Sequence, residues 1–175
     1  MQVRSARLHD LPDLDRIALE AKSHWGYAQE QLIRWESDLR TRPETIAAWP
    51  TSVAEIEGRV AGFAQIDPTA SPWELVSLWV QPGHMRQGIG AALLRTMQEV
   101  AQQSGVREIH IDSDPNALAF YIACGASVVG SVAAPIEGEP SRVRPQLRLP
   151  TSRPVGPPDA LPQDNQAAAR RLPPR

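Results

Sequence analysis

Apolar and polar positions alternate from Gln2 to Leu8, with Val3, Ser5 and Arg7 set against Arg4, Ala6 and Leu8, which predicts an opening strand. Asp10 followed by Pro12 has the form of a helix N-cap ahead of a first-turn proline. Leu11, Leu14, Ile17, Ala18 and Ala21 then fall on one helical face, and the run Ser23–Tyr27 breaks that helix at Gly26. Leu32, Trp35 and Leu39 mark a second helix that ends before Pro43. Residues 51–68 read as a β-hairpin turning at Glu57-Gly58. Trp73–Val80 is apolar on both faces apart from Glu74 and Ser77, the pattern of a strand covered on both sides, and Pro82-Gly83 ends it. A glycine-bearing loop leads into a helix with Ile89, Leu93, Met97 and Val100 on one side, stopped at Ser104-Gly105. Val106–Asp112 predicts a strand, Asn116–Cys124 a short helix closed by Gly125, and Ala126–Val132 another strand. Arg142–Leu149 is the last strand, and Pro145 points to a sheet edge or a bulge there.

The order β-α-α-β-β-β-α-β-α-β-β predicts an α/β (α+β) architecture, a mixed central sheet flanked by helices, with no internal repeat. At 175 residues the chain is long enough for one domain, expected at 1–150. The stretch 151–175 holds six of the 17 prolines and no aromatic residue, so a disordered tail is expected there. Residues 1–150 carry 14 basic and 18 acidic side chains, net -4; the tail carries four and two, net +2. This balance argues against binding nucleic acid over a broad surface. No apolar run approaches the roughly 18 residues of a membrane span, and the N-terminus lacks a signal peptide's features, so a cytoplasmic protein is expected. The single cysteine, Cys124, excludes an intrachain disulfide, and neither it nor His9 or His110 has metal-site spacing, so no metal is expected. Lys22 is the one lysine among 18 basic residues, a bias read as codon composition.

Chemistry concentrates in Leu78–Leu94, where a strand enters a loop bearing Gly83, Gly88 and Gly90 and passes directly into a helix. Unpaired amides and the helix dipole make such a helix start locally positive, and glycines let a ligand reach the main chain. The arrangement suits a pyrophosphate, with Arg86 adding a charge-assisted contact. A P-loop is excluded because Ala91-Ala92 follow Gly90 where a Lys-Ser/Thr pair is required. A dinucleotide fingerprint has Leu93 at its third glycine position, although Asp112 stands about where the acidic partner belongs. A plain glycine turn ahead of a core helix is the remaining reading.

The segment Asp114–Ala126 narrows the choice. Asn116, Ala119, Phe120, Tyr121 and Gly125 stand in the pattern Asn-x-x-Ala-Phe-Tyr-x-x-x-Gly. With the glycine loop one strand earlier, and with the element order over residues 2–149, the chain resembles the GNAT superfamily of acetyl-coenzyme A-dependent N-acetyltransferases. It departs from the usual pattern at Met85, where the loop normally begins with Gln or Arg, and at Ala126, normally Phe.

The resemblance implies the GNAT-like acyl-CoA N-acyltransferase fold, acetyl-CoA as co-substrate, and transfer of its acetyl group to a primary amine by direct attack in a ternary complex. The backbone of Leu78, Trp79 and Val80 would bind the pantetheine arm. Met85, Arg86, Gln87, Gly88, Ile89, Gly90 and Ala91 would hold the pyrophosphate, with Asn116 and Phe120 also on the coenzyme side. Tyr121 would protonate the departing thiolate. Glu74 occupies a place where some members put a general base; His24 and water are the alternatives. His24, Trp25 and Tyr27 would face the acceptor, a small-molecule or peptide amine. The resemblance also admits a homodimer. His84 reads as a solvated turn residue and Cys124 as structural. A non-catalytic acyl-CoA-binding module, another acyl group, and a hydroxyl acceptor remain open alternatives.

Overall fold

The computed structural model describes residues 1–152; the tail expectation for 151–175 therefore falls, from residue 153 on, outside the described residues. The chain forms β1 (Gln2–Ser5), α1 (Leu11–Ser23), α2 (Gln29–Leu39), α3 (Pro43–Ala48), β2 (Thr51–Ile56), β3 (Arg59–Asp67) and β4 (Glu74–Val80). It continues through α4 (Ile89–Gln103), β5 (Glu108–Asp112), α5 (Leu118–Ala123), β6 (Ser127–Ala133) and β7 (Val143–Pro150). The strands make one seven-stranded sheet in the order β1-β2-β3-β4-β5-β7-β6. Every neighbouring pair is antiparallel except β4 and β5. This is the mixed sheet with flanking helices that the pattern predicts.

Both faces of the sheet are packed, by different helices. α4 buries Ile89, Leu93, Leu94, Met97 and Ala101 against Ala64, Ile66, Ile109, Ile111, Leu147 and Leu149. On the other face α1 sets Leu14, Ile17 and Ala18 against Val53, Val60 and Phe63. Such burial is worth about 1.5–3 kcal/mol per large side chain, and it fixes the strand register that the site depends on. Glu57 and Gly58 both take positive φ (51° and 76°), the turn that matches strand twist in a two-residue hairpin.

Four expectations are corrected. α3 went unpredicted because it is six residues long and has too few turns to show a period. Asp10 does not cap α1 through its side chain; its carboxylate turns back to accept from the Arg7 amide at 2.7 Å and pairs with Arg4 at 2.8 Å. The strand with Pro145 is not at an edge, since β7 lies between β5 and β6. Pro145 sits past the end of β5, where its carbonyl accepts from the Ser113 amide, and the register irregularity falls in β6 between Val128 and Gly130. β4 is not covered on both sides: only Leu75 is buried, Val76 is exposed, and Leu78, Trp79 and Val80 are half-buried. Its both-faces apolar pattern marks an open cleft wall. Thr151, directly after β7, is buried and bonds through its amide and hydroxyl to the main chain of Arg107 and Val106.

Asp10 joins the start of α1 to the sheet. Arg4 on β1 gives it two bonds, at 2.8 and 2.9 Å, and also reaches Glu55 on β2. The Arg4 bonds, then the Arg7 amide, hold the Asp10 carboxyl below its usual range against the opposing cost of burial. A depressed carboxylate contributes stability that is present above its unfolded pKa and is lost as the pH falls through the folded one. Asp10→Asn is expected to cost about 1–3 kcal/mol at pH 7, the scale of hydrogen bonds to charged groups. Denaturant titration checks this: the gap from wild type should close as the pH drops below the ordinary carboxylate range, and a gap that persists there would sink the assignment.

Candidate functional site

The sheet opens at one place. β4 and β5 share a single register pair, Glu74 with His110, and then diverge. From Ser77 to Val80 the strand is partnered by β3 on one side, while no strand pairs its other edge. A register shift in the β3–β4 ladder, between Gln65 and Ile66, leaves Val76 as an extra residue on β4 and adds local twist where the strands part. The outward main-chain groups of Leu78, Trp79 and Val80 therefore face a cleft whose second wall is the end of β5 and the segment after it.

The loop after β4 ends at the same cleft. Residues 82–84 form a 3-10 turn, which uses the His84 and Met85 amides on Gln81 and Pro82 carbonyls. Arg86 (φ 63°) and Gly88 (φ 81°) then take left-handed conformations, and α4 begins at Ile89. Beyond Met85, the amides of residues 86–91 meet no acceptor among the described residues. A continuous set of free N–H groups at the start of a 15-residue helix is an anion cradle built from main chain. Gly90 keeps its far side open to packing: a Cβ there would lie 3.3 Å from the Phe120 ring and 3.7 Å from Val80. Phe120 thereby supports the cradle from α5, and its ring meets Tyr121 edge-on at 5.1 Å.

Tyr121 is buried among Leu75, Ile111 and Ala126 of the core. Burial first, then the charges of Cys124 and Asp114, push its phenol well above the ordinary range, so it holds its proton at neutral pH. Glu74, half-buried at the base of the cleft, is pushed up by desolvation and by the nearby charges of Asp112 and Asp67. Arg144, which pairs with Asp112, opposes that rise.

Beside the cleft lies a groove of about 770 Å³ between the α1–α2 turn, the Pro115-Asn116 segment and the β6–β7 hairpin loop. Trp25 and Tyr27 line one side, and Arg142 lies against it. Tyr27 donates to Asp114 (2.8 Å to Oδ2) and accepts from Asn116 Nδ2 and Arg142 Nη2, each at 3.2 Å. Lys22 Nζ gives Asp114 a 2.5 Å bond and stands over the Tyr27 and Trp35 rings at 4.7 and 4.4 Å. The hub ties α1, the α1–α2 turn and β7 to the end of β5.

Residues 10–126 match the sequence profile described as the Acetyltransferase (GNAT) family. The chain belongs to that family. Among curated proteins it is 34% identical over 104 residues to mycothiol acetyltransferase of Cellulomonas flavigena, covering 57% of this chain and 29% of that one. It is 31% identical over 117 residues to phosphinothricin N-acetyltransferase of Streptomyces viridochromogenes, covering 55% and 63%. The match thus spans less than two thirds of each relative's length. A crystal structure of the PaiA N-acetyltransferase of Thermoplasma acidophilum in complex with coenzyme A superimposes with a TM-score of 0.71 at 18% identity, over 85% of this chain and 98% of that one. The fold is therefore the GNAT fold, and the dinucleotide alternative lapses; Asp112 is occupied by Arg144.

Within this GNAT domain the structure brings most of the expected residues to one sheet opening. Leu78–Val80, residues 86–91, Phe120 and Tyr121 converge there, and Trp25 and Tyr27 line the neighbouring groove. Met85 stands apart, because its amide is used by the 3-10 turn. His24 stays outside the groove lining, exposed at the end of α1 with its ring edge-on to Trp25 at 5.5 Å. Asn116 has both Nδ2 contacts within the protein, to Asp114 and Tyr27, which leaves its Oδ1 for a ligand. His84 is not a solvated turn residue: it is half-buried, with Nδ1 buried and unpartnered among the described residues. Cys124, unpaired and half-buried, has its thiol pushed up by burial, which favours the thiol over the nucleophilic thiolate. No group of metal-binding side chains occurs among the described residues, and no helix there is long and apolar enough to cross a membrane.

Lys22, Trp35, Asp114 and Arg142 were missed. The hydrogen bonds that join Lys22, Tyr27, Asp114 and Arg142 span 28 to 115 positions, beyond any local period. One signal was available: a chain that uses arginine almost everywhere keeps a lysine at position 22, and the structure buries it.

Raising a carboxyl's pKa on folding means that its charged form is disfavoured in the folded state, so the group costs stability once the pH is above its folded pKa. Glu74→Gln is therefore expected to melt at or above the wild-type temperature at pH 7, and level with it below the carboxylate range. Thermal melts at both pH values check this, and a clear loss at neutral pH would contradict it.

Proposed function

We propose that this GNAT domain transfers the acetyl group of acetyl-coenzyme A to a primary amine, by direct attack with both substrates bound. The observation that carries the reading is the meeting of β4's unpaired edge with the free amides of residues 86–91 at one strand end. A long ligand with amide groups along one part and a pyrophosphate further on suits that combination. The main chain of Leu78–Val80 and the Asn116 Oδ1 hold the amide-bearing arm, and residues 86–91 with Arg86 hold the pyrophosphate. The curated relatives named above are acetyltransferases, one of them an N-acetyltransferase, which supports an amine acceptor.

The co-substrate supplies an activated thioester. The protein residues supply proton control and orientation. As the amine nitrogen bonds to the carbonyl carbon and the C–S bond breaks, Tyr121 gives its proton to the sulfur. The nitrogen must lose a proton, and Glu74 takes it, directly or through water; its raised pKa brings it closer to neutrality, where a base works best. Burial keeps the Tyr121 phenol protonated, so it holds the proton that the sulfur takes. Main-chain donors on β4 offset the charge that develops on the carbonyl oxygen.

Acetyl-coenzyme A at 100 times its dissociation constant is expected to stabilise the fold by about 2.7 kcal/mol, seen as a higher melting temperature. Thiol release across a panel of amines should fall by about 10²-fold or more in Tyr121→Phe, the typical contribution of a positioned acid, with the acetyl-coenzyme A shift retained. No shift with acetyl-coenzyme A would overturn the binding reading. A shift without turnover on any amine would mark a binding module instead of an enzyme.

A further inference from the structure

The groove beside the cleft is lined by a buried cation that the protein compensates only in part. Lys22 and Arg142 both approach Asp114, so two positive charges meet one negative. Lys22 takes the short bond, 2.5 Å to Oδ2. Arg142 Nη2 reaches the same oxygen only at 3.4 Å. The other Arg142 bonds go to neutral acceptors, the Ala134 carbonyl at 3.1 Å and the Tyr27 hydroxyl at 3.2 Å. Its Nε and the second Nη1 hydrogen have no acceptor among the described residues.

Asp114 is already shared among closer donors. Its Oδ1 accepts from the Asn116 amide and Asn116 Nδ2, its Oδ2 from Lys22, and the one Tyr27 hydroxyl proton lies between the two oxygens, so Arg142 reaches Oδ2 only as the longest contact. The Arg142 side chain is 4% exposed, and a guanidinium cannot shed its charge by deprotonating. Taking a charge out of water costs several kcal/mol unless a counter-charge meets it. Its approach to the Tyr27 and Trp35 rings, 5.5 and 5.7 Å to their centroids, compensates only in part. The groove that Arg142 lines is the side from which a further counter-charge reaches it.

Resting on the acetyl-transfer reading, we propose that the acceptor is a small aminocarboxylate, whose amine is acetylated while Arg142 binds its carboxylate. A guanidinium with spare donors matches a carboxylate in charge and in planar geometry. Three glutamates also line the groove, Glu30, Glu137 and Glu139, and all are exposed. Glu137 stands 3.8 Å from Arg34. Exposed charges are screened over about 8 Å at physiological salt, whereas buried pairs are screened far less, so the floor outweighs the rim for the group that reaches it. The rim in turn disfavours acceptors with a net negative charge. Arg142 is thus a specificity residue and takes no part in the proton transfers.

The test needs no variant to begin. Purified full-length protein is assayed by thiol release with acetyl-coenzyme A and matched acceptors: lysine against 1,5-diaminopentane, leucine against leucinamide, and a dipeptide against its C-terminal amide. The carboxylated member of at least one pair should have a kcat/KM at least about 10-fold higher, the scale of a charge-assisted contact. Preference confined to the dipeptide would place the carboxylate at a peptide end; preference for the free amino acids would place it on a single residue. In Arg142→Gln the ratio of kcat/KM between the carboxylated and uncarboxylated members should fall toward one, through KM, and Arg142→Lys should restore part of it. Melting shifts with the same acceptors, with and without coenzyme A, give a readout independent of turnover. Equal use or binding of carboxylated and uncarboxylated members, or no shift with any aminocarboxylate, overturns the proposal. Failure of the acetyl-transfer reading shows separately, as acetyl-coenzyme A that does not stabilise the fold.

Discussion

The parting of β4 from β5 is the constraint on which the rest of the molecule depends. Two parallel strands that stayed paired would satisfy each other's main chain and leave nothing for a ligand. Here the ladder stops after Glu74 and His110, and the edge of β4 beyond them is left without a partner strand. Such an opening costs hydrogen bonds, so it has to be held apart from outside. On one face α4 packs across β3, β4 and β5 and anchors both walls through Leu93, Met97, Ile109 and Ile111. On the other face α1 grips β3 and β4. Because opposite faces are packed by different helices, the gap stays fixed without a strand to fill it.

The same split explains how a domain of net negative charge can serve a phosphate-bearing ligand. Residues 1–150 sum to -4. A cradle of side-chain cations would have to work against that background, but the amides of residues 86–91 carry their partial charge in the main chain, aligned with the dipole of α4. Cationic side chains are spent elsewhere, at the groove beside β5, where Lys22 and Arg142 surround Asp114. On the proposed reading, coenzyme and acceptor would be met by different kinds of positive charge on the two sides of one opening. The arrangement separates their recognition.

The fold was legible in the sequence because its information is local. The alternation of β2 and β3 about Glu57-Gly58, and the apolar face of α4, both repeat within a dozen residues. The loop from Gly83 to Gly90 and the Phe120-Tyr121 pair were legible for the same reason, since each chemistry is compressed into one short segment. What failed was long-range or dependent on context. Asp10 has the right type and place for an N-cap, yet Arg4 from a neighbouring strand draws its carboxylate away. Trp73–Val80 is as apolar as a sandwiched strand, yet Leu78 to Val80 border a cleft that only the pairing of β5 reveals. The Met85 amide is consumed by a turn whose closure no composition shows. The hub around Asp114 joins four separate elements, and no window of sequence contains it.

Lys22 shows how a compositional signal becomes physical once the fold is known. The chain uses arginine at 17 of its 18 basic positions, so the exception asks for a reason at its own site. At position 22 the charge lies over two aromatic rings, 4.4 and 4.7 Å from their centroids, and 2.5 Å from a carboxylate oxygen. A compact ammonium on a flexible stem fits that space. A planar guanidinium needs room for a five-donor fork, and Arg142 already lies over the same two rings. The difference also bears on charge, since burial lowers the Lys22 pKa first, partly opposed by Asp114, while arginine keeps its proton regardless. With lysine there the hub has one fixed positive charge, on Arg142, and one that answers to its surroundings. The fixed one is the one that meets the groove.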